Sequence, residues 1–505
     1  MRQARPFHRA AALIPILLAA CAERPPVTDY PRSFSRALTD TQATPLGMAL
    51  APAIHAHSGQ SGFFLLPRGS EALDMRLAVV QSATRSLDLQ YYSVEDDSTG
   101  RELLAGVLRA ANRGVRVRLL VDDLSLEDIE DVAEALNHHP LIEIRAFNPP
   151  VTKDQPPLSK VANLFSDRDH LTRRMHNKAL IADNQLAIMG GRNVGNEYFG
   201  ARAEYDFRDL DVLVAGPVTQ SISRSFDRYW NGAEAYPLTA LSDAHGGAAV
   251  QAAAQEATDA AAALPGQLRH GDIPLIWAPA ELAADDPLKV DEPADDTDSR
   301  PANRLRALTA QAESDFFMIS PYFVPKDGGV AWLASLTSRG IRVRVLTNSL
   351  ASTDVVAVHT GYSRYRPALV QNGVELYEFK PLPGEKPGKT ASPSASIYSL
   401  HAKVYVVDRK DVMLGSFNFD PRSVHLNTEE ALIIHSPALA AQIEAVFERA
   451  TSPALSYRVV MDGGKLQWIT ENNGREMRYD SDPAPGAWRR FLSGLYALLP
   501  IENEL

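Results

Sequence analysis

The sequence predicts an α/β fold of two pseudo-symmetric domains, each a mainly parallel sheet flanked by helices, with one active site at their interface. Three observations predict it. A strand–helix–strand block occurs twice along 505 residues. The pattern H-x-K-x-x-x-x-D also occurs twice, starting at His176 and His401. The two kinds of repeat keep nearly the same shift, 226 residues from Arg113-Gly114 to Arg339-Gly340 and 225 from His176 to His401.

In the first block Ser86–Tyr92 reads as a buried strand, Leu103–Asn112 as an amphipathic helix and Gly114–Val121 as the next strand. In the second, Asp315–Ser320 is a strand, Val330–Ser338 a helix and Gly340–Leu346 a strand. Strands joined through a helix pair in parallel and place the helix on the sheet face.

Around these blocks the chain divides into a signal peptide (1–20), a lipidated tether and irregular lead-in (21–63), a first domain (64–240), an acidic, Ala/Pro-rich connector (241–300), a second domain (301–455) and a C-terminal hairpin with a terminal helix (456–505). Residues 381–396, rich in Pro, Gly, Ser and Lys, read as a loop. Asp462-Gly463-Gly464 and Asn473-Gly474 read as hairpin turns. The apolar segment from Trp488, led by Arg489 and Arg490, reads as a helix docked on the body or dipping into a lipid interface.

The first residues combine Arg2, Arg5 and Arg9 with an apolar run Ala10–Ala20, too short to span a bilayer. The run ends Leu18-Ala19-Ala20-Cys21, which looks like a lipoprotein cleavage box, and Cys21 is the chain's one cysteine. The expectation is a periplasm-facing protein anchored to a bacterial membrane by acyl chains on Cys21, with an uncleaved signal anchor as the alternative. Ala22 in place of an aspartate favours the outer membrane. The net charge of −11 gives whole-chain attraction to nucleic acid no help, and no nucleic-acid partner is expected.

The motifs are His176-Asn-Lys178-Ala-Leu-Ile-Ala-Asp183 with Gly190-Gly191-Arg192-Asn193, and His401-Ala-Lys403-Val-Tyr-Val-Val-Asp408 with Gly415-Ser416-Phe417-Asn418. With 13 His, 11 Lys and 36 Asp in the chain, chance would yield about 0.02 His-Lys-Asp matches at this spacing. Residues i and i+2 of an extended segment share a face, so each His projects with its Lys. Two lysines with Asn193, Asn418 and Ser416 can surround a phosphate. The two imidazoles supply a nucleophile and an acid or base. Since the lysines carry the positive charge, no metal and no other cofactor is required. Asp183 and Asp408, five residues beyond each lysine, read as turn stabilisers.

These motifs resemble the phospholipase D superfamily. The surrounding text resembles bacterial cardiolipin synthases: Leu89-Gln90-Tyr91-Tyr92, Arg173–Lys178, Glu197-Tyr198-Phe199, Asn348–Asp354 with His359 and Tyr362, and Gly415–Glu429. The resemblance implies a covalent phosphohistidine, with His176 as nucleophile and His401 as acid and then base, the reverse assignment staying open. It also implies a downstream carboxylate orienting each histidine, Asp209 in the first half and Glu429 in the second. Arginines such as Arg208 and Arg422 are the competing partners for those carboxylates. The first motif departs from the second in having Gly191 where the second has Ser416.

The implied activity is phosphatidyl transfer to an alcohol, as in making cardiolipin from phosphatidylglycerol and a second phospholipid such as phosphatidylethanolamine. Hydrolysis to phosphatidic acid is the rival, followed by a nuclease of the superfamily and a non-catalytic lipid-binding protein.

Overall fold

A computed structural model describes residues 30–149, 172–202, 205–241, 263–293, 298–381, 397–484 and 486–496. The signal segment, Cys21 and the loop at 382–396 lie outside these residues.

Two large sheets each carry the anticipated block. In the first sheet the order is Ile276–Ala278, Ser61–Leu66, Asp211–Ala215, Leu186–Gly190, Ala179–Ala182, Ser86–Tyr91, Arg116–Asp122, Ile142–Phe147, Ala235–Pro237. The second has Ala280–Ala284, Glu430–His435, Asp411–Gly415, Val404–Val407, Asp315–Ile319, Arg342–Asn348, Glu375–Phe379, Ser456–Asp462, Lys465–Asn472, Arg475–Tyr479. The pseudo-symmetry is explicit at the centre. Ser86–Tyr91 pairs in parallel with Arg116–Asp122 and antiparallel with Ala179–Ala182, and Asp315–Ile319 does the same with Arg342–Asn348 and Val404–Val407.

The sheets are therefore mixed, and the expectation of mainly parallel sheets is corrected. Only the helix-connected strands run in parallel. Each motif strand instead turns back as a tight hairpin, and its antiparallel neighbours outnumber the parallel pairs. The turns are Asp183-Asn184 (φ 52° and 51°) and Asp408-Arg409 (φ 49° and 54°), the left-handed two-residue geometry that twists with a hairpin.

The motif aspartates hold these turns. The buried Asp183 carboxylate accepts from the backbone N–H of Thr84, Arg85 and Ser86 at 2.7–3.2 Å and from the Thr84 hydroxyl at 3.1 Å. Asp408 accepts likewise from Glu313, Ser314 and Asp315 at 2.8–3.2 Å. The helices Ser98–Asn112 and Lys326–Ser338 end alike, on Gly114 (φ 96°) and Gly340 (φ 84°), a conformation that favours glycine.

The connector and the lead-in are also corrected. Within the span taken as a solvated link, Ile276–Ala278 joins the edge of the first sheet and Ala280–Ala284 the edge of the second, so the crossing chain caps both. Lys289, which the composition places in solvent, is buried on Asp285 at 2.7 Å. Short edge strands such as Ile276-Trp277-Ala278 carry too few residues for an alternating pattern to register. In the lead-in, Pro45–Ala56 is a helix that buries Leu46 and Leu50, and Ala37 N–H already binds Asp227 at 3.0 Å.

The inner faces of the two sheets and the helices Pro217–Asn231 and Pro437–Ala450 share one core, with Phe63, Ile181 and Val212 from one half and Phe317, Val404 and Leu432 from the other. Buried arginines from both halves stack there: Arg118 lies 4.7 Å from the Phe226 ring, Arg145 4.1 Å from the Trp230 ring and Arg344 5.2 Å from the Phe447 ring.

Removing a buried carboxylate that accepts several hydrogen bonds costs roughly 2–4 kcal/mol. Asp183→Ala is thus expected to lower the denaturation midpoint markedly, while the protein that remains folded keeps its turnover within a few-fold. Denaturant titration beside activity per folded molecule checks both parts.

Candidate active site

The His-x-Lys triplets lie just ahead of their strands and not within them, because the backbone there pairs across the two halves. His176 N–H donates to Thr428 O at 2.9 Å, and Met175 bridges Thr428 in parallel. His401 N–H donates to Arg208 O at 2.9 Å, at the end of a two-stranded parallel ladder between Tyr205–Arg208 and Ile397–Leu400. Each histidine is therefore delivered beside the residue that precedes the other half's carboxylate.

The carboxylates complete the exchange. His176 Nδ1 lies 2.9 Å from Glu429 Oε2, and His401 Nδ1 lies 2.6 Å from Asp209 Oδ2. The two candidate carboxylates are at the histidines, but each serves the histidine of the opposite half, against the same-half pairing expected. The competing arginines are engaged elsewhere: Arg208 faces Asp206 and stacks 4.1 Å from the Tyr398 ring, and Arg422 donates to Thr172 O at 2.6 Å. With each Nδ1–H donated to a carboxylate, Nε2 keeps its lone pair.

The lysines lie beside their histidines. Lys178 Nζ donates to His176 O at 2.5 Å, and Lys403 Nζ donates to His401 O and lies 2.9 Å from His401 Nδ1. All four side chains are buried. Burial, then Lys178, Lys403 and Arg422, pushes the His176 imidazole well below the ordinary histidine range. Burial and Lys403 take His401 to about 4 against the pull of Asp209. Burial and Lys403 lower Lys178 to about 7, and burial lowers Lys403 to about 8 despite Asp209 and Glu429. Both imidazoles are thus neutral near pH 7.

The supports differ between the halves. Burial lifts Glu429 to about 7 against Lys178, Ser416 and Ser423. Burial acts upward on Asp209 too, but His401, Lys403 and Arg192 outweigh it and hold that carboxyl below its ordinary range. Ser416, expected on the phosphate, instead donates to Glu429 Oε2 at 2.5 Å, because the neighbouring carboxylate is the nearest strong acceptor. At the matching position a Cβ on Gly191 would meet Asp209 Oδ1 at 2.3 Å. The departure between the motifs therefore follows the carboxylate: the shorter Asp209 approaches where Gly191 leaves room, and Glu429 takes a serine hydroxyl. Asn193 Nδ2 donates to the Tyr198 hydroxyl at 2.8 Å. The side-chain oxygens of Asn193 and Asn418 are buried without a hydrogen-bond partner among the described residues.

Several neighbours escaped the sequence reading. Ser423 donates to Glu429 Oε1 at 2.7 Å, Asp285 accepts from Glu429 N–H at 3.1 Å, and Glu430 accepts from Lys178 N–H at 2.9 Å. Tyr92 and Tyr198 each set an edge against a histidine, His176 and His401 respectively, with centroids 5.2 Å apart. Their one sequence signal was membership in the resembling stretches, and their spacing alone carried none.

Duplicated halves that each lend a His-Lys pair to one buried, lysine-rich seam define an enzyme of the phospholipase D class. The sequence profile described as "Cardiolipin synthase, PLD-like domain" matches residues 77–230 and 305–451. The chain belongs to this cardiolipin-synthase family of the phospholipase D superfamily. It is 37% identical over 476 residues to cardiolipin synthase C of Escherichia coli K12, covering 90% of this chain and 99% of that one. A cardiolipin synthase A of Pseudomonas syringae is 25% identical over 76% of this chain and 67% of its own length. Among solved structures, a phosphatidylserine synthase of Haemophilus influenzae shares the fold with a TM-score of 0.55 at 14% identity, over 81% of this chain and 91% of its own.

Gly191→Ser, which copies the second motif into the first, drives a side chain into Asp209 and should lower kcat by on the order of 10²-fold with the fold intact by circular dichroism. The lysines, being lowered, lose charge as pH rises through about 7 and 8. The alkaline limb of kcat/KM is thus expected in that range. It should move upward in Lys178→Arg, whose guanidinium stays charged, as read from pH–rate profiles.

Proposed function

We propose that the protein transfers a phosphatidyl group from a phospholipid to an alcohol acceptor, forming cardiolipin when the acceptor is phosphatidylglycerol, through a covalent phosphohistidine. The observation that carries this reading is the pair of buried imidazoles, each tied at Nδ1 to a carboxylate of the opposite half. His176, whose carboxylate Glu429 is also held by the Ser416 and Ser423 hydroxyls, is the nucleophile. Its Nε2 forms a bond to phosphorus as the ester bond to the leaving alcohol breaks. Phosphate entering between Lys178 and Lys403 offsets their charge and restores the basicity of His401, whose imidazolium Asp209 stabilises. His401 gives its proton to the leaving oxygen. It then takes the proton of the acceptor hydroxyl, which attacks phosphorus and releases His176. The phosphate oxygens meet the two ammonium groups and the amides of Asn193 and Asn418, which supply the charge stabilisation that a transferring phosphoryl group needs.

Water competes as acceptor, and transfer prevails when a positioned lipid hydroxyl reaches an effective molarity of roughly 10⁵ M or more. Similarity to cardiolipin synthases over 90% of the chain supports transfer. Anchoring through Cys21, facing the periplasm, would hold acceptor and donor in the same membrane plane.

In vesicles of phosphatidylglycerol and phosphatidylethanolamine, the purified enzyme should make more cardiolipin than phosphatidic acid. Acid quench should trap labelled phosphoenzyme in wild type and not in His176→Ala. Predominant phosphatidic acid would identify a hydrolase. Label kept in His176→Ala and lost in His401→Ala would exchange the two histidine roles. Cys21→Ser should abolish acylation, as read by mass spectrometry, and a protein still acylated would overturn the anchoring.

A further inference from the structure

We propose that the mouth of the active site carries its own bilayer-docking surface, built on the C-terminal helix Ala487–Tyr496. The inference rests on a lipid substrate, as argued above, and adds the surface on which the enzyme meets it.

The helix is inverted relative to an ordinary surface helix. Trp488, Phe491 and Leu495, at i, i+3 and i+7, share its outward face and are 67%, 60% and 47% exposed. The Trp488 and Phe491 rings stack with centroids 5.5 Å apart, and Arg490 is exposed beside them. The inward face makes polar contacts. Arg489 donates to the carbonyls of Leu350, Ala351 and Thr353 at 2.8–3.4 Å, and Ser493 Oγ meets Thr360 Oγ1 at 3.0 Å. An apolar face turned outward by polar contacts behind it is directed at something other than water.

Its place in the fold says what. The segment that Arg489 grips begins at Asn348, whose amide bonds both the N–H and the carbonyl of Leu400, next to His401. Val355, exposed, closes that segment. In the first half, exposed Leu124 follows Asp122 and Asp123, which bind Arg174 and Met175 beside His176. Nine large apolar side chains are exposed among the described residues, and five of them sit on these three elements. Exposed apolar groups thus lie on the segments that bond next to both histidines. Indole, phenyl and leucyl groups with a flanking arginine suit the boundary between acyl chains and anionic headgroups. A phospholipid entering here would leave the bilayer without crossing water.

The test uses the whole lipidated protein in phosphatidylglycerol–phosphatidylethanolamine vesicles carrying dibrominated acyl chains. Trp230 and Trp468 are buried and Trp277 and Trp332 half-buried, and bromine quenching should include a component from exposed Trp488 that vanishes in Trp488→Phe. The triple variant Trp488→Ser, Phe491→Ser, Leu495→Ser should lose at least about tenfold in headgroup release from vesicles. On a monomeric short-chain phospholipid it should stay within about twofold of wild type, the chemistry being untouched. Absence of the Trp488 component, as when another copy or another segment covers the face, overturns the proposal. Equal losses on both substrates also overturn it, since they mark a structural role. Headgroup release is read whether water or lipid is the acceptor, so these outcomes are independent of whether transfer or hydrolysis prevails.

Discussion

The structure depends on an exchange of carboxylates between its halves. Each histidine needs an acceptor at Nδ1, and each half keeps its carboxylate for the other half's histidine. A lone half would leave its histidine without that acceptor and its carboxylate without the imidazole, and burying either group without its partner is costly. The shared apolar core and the cross-half backbone bonds of His176 and His401 therefore set the geometry on which the chemistry relies. Short Nδ1–oxygen separations require the two sheets to hold their relative position within a few tenths of an ångström, and a well-packed apolar interface provides that stiffness.

Within this symmetric frame the two sites are unequal. Asp209 meets His401 with no hydroxyl ahead of it, because Gly191 leaves the carboxylate room. Glu429 reaches His176 while held by Ser416 and Ser423, in a setting that lifts it to about 7. An ionised carboxylate stabilises an imidazolium, and a partly protonated, hydroxyl-bound one does so less. On the proposed mechanism, that difference would suit His401 to carry a proton and His176 to stay neutral and attack. The exchange of Gly191 for Ser416 between the motifs thus follows the unequal carboxylates.

The repeat, the four motif residues and the turn-forming character of Asp183 and Asp408 were readable in the sequence because each rests on local spacing. The partner of each histidine was not. Asp209 and Glu429 lie at matching places after their motifs, so same-half and opposite-half pairing satisfy the same spacing, and the choice is made by how the halves face each other. Mixed pairing was missed for a related reason: helix-linked strands announce parallel neighbours, whereas the hairpin at Asp183-Asn184 depends on two left-handed residues that lack the usual glycine. The connector escaped notice because Ile276–Ala278 and Ala280–Ala284 acquire strand character only from the sheet edges they cover. Ser416 was placed on phosphate from its residue type, and its hydroxyl was claimed by a carboxylate thirteen residues on.

The crossed pairing is tested most directly by proton NMR of the imidazole Nδ1–H resonances, assigned with histidine variants, in Glu429→Gln and Asp209→Asn. The account predicts that the His176 resonance shifts or disappears in Glu429→Gln and stays in place in Asp209→Asn, with the reverse for His401. A His176 resonance that responds to Asp209→Asn and ignores Glu429→Gln would contradict it.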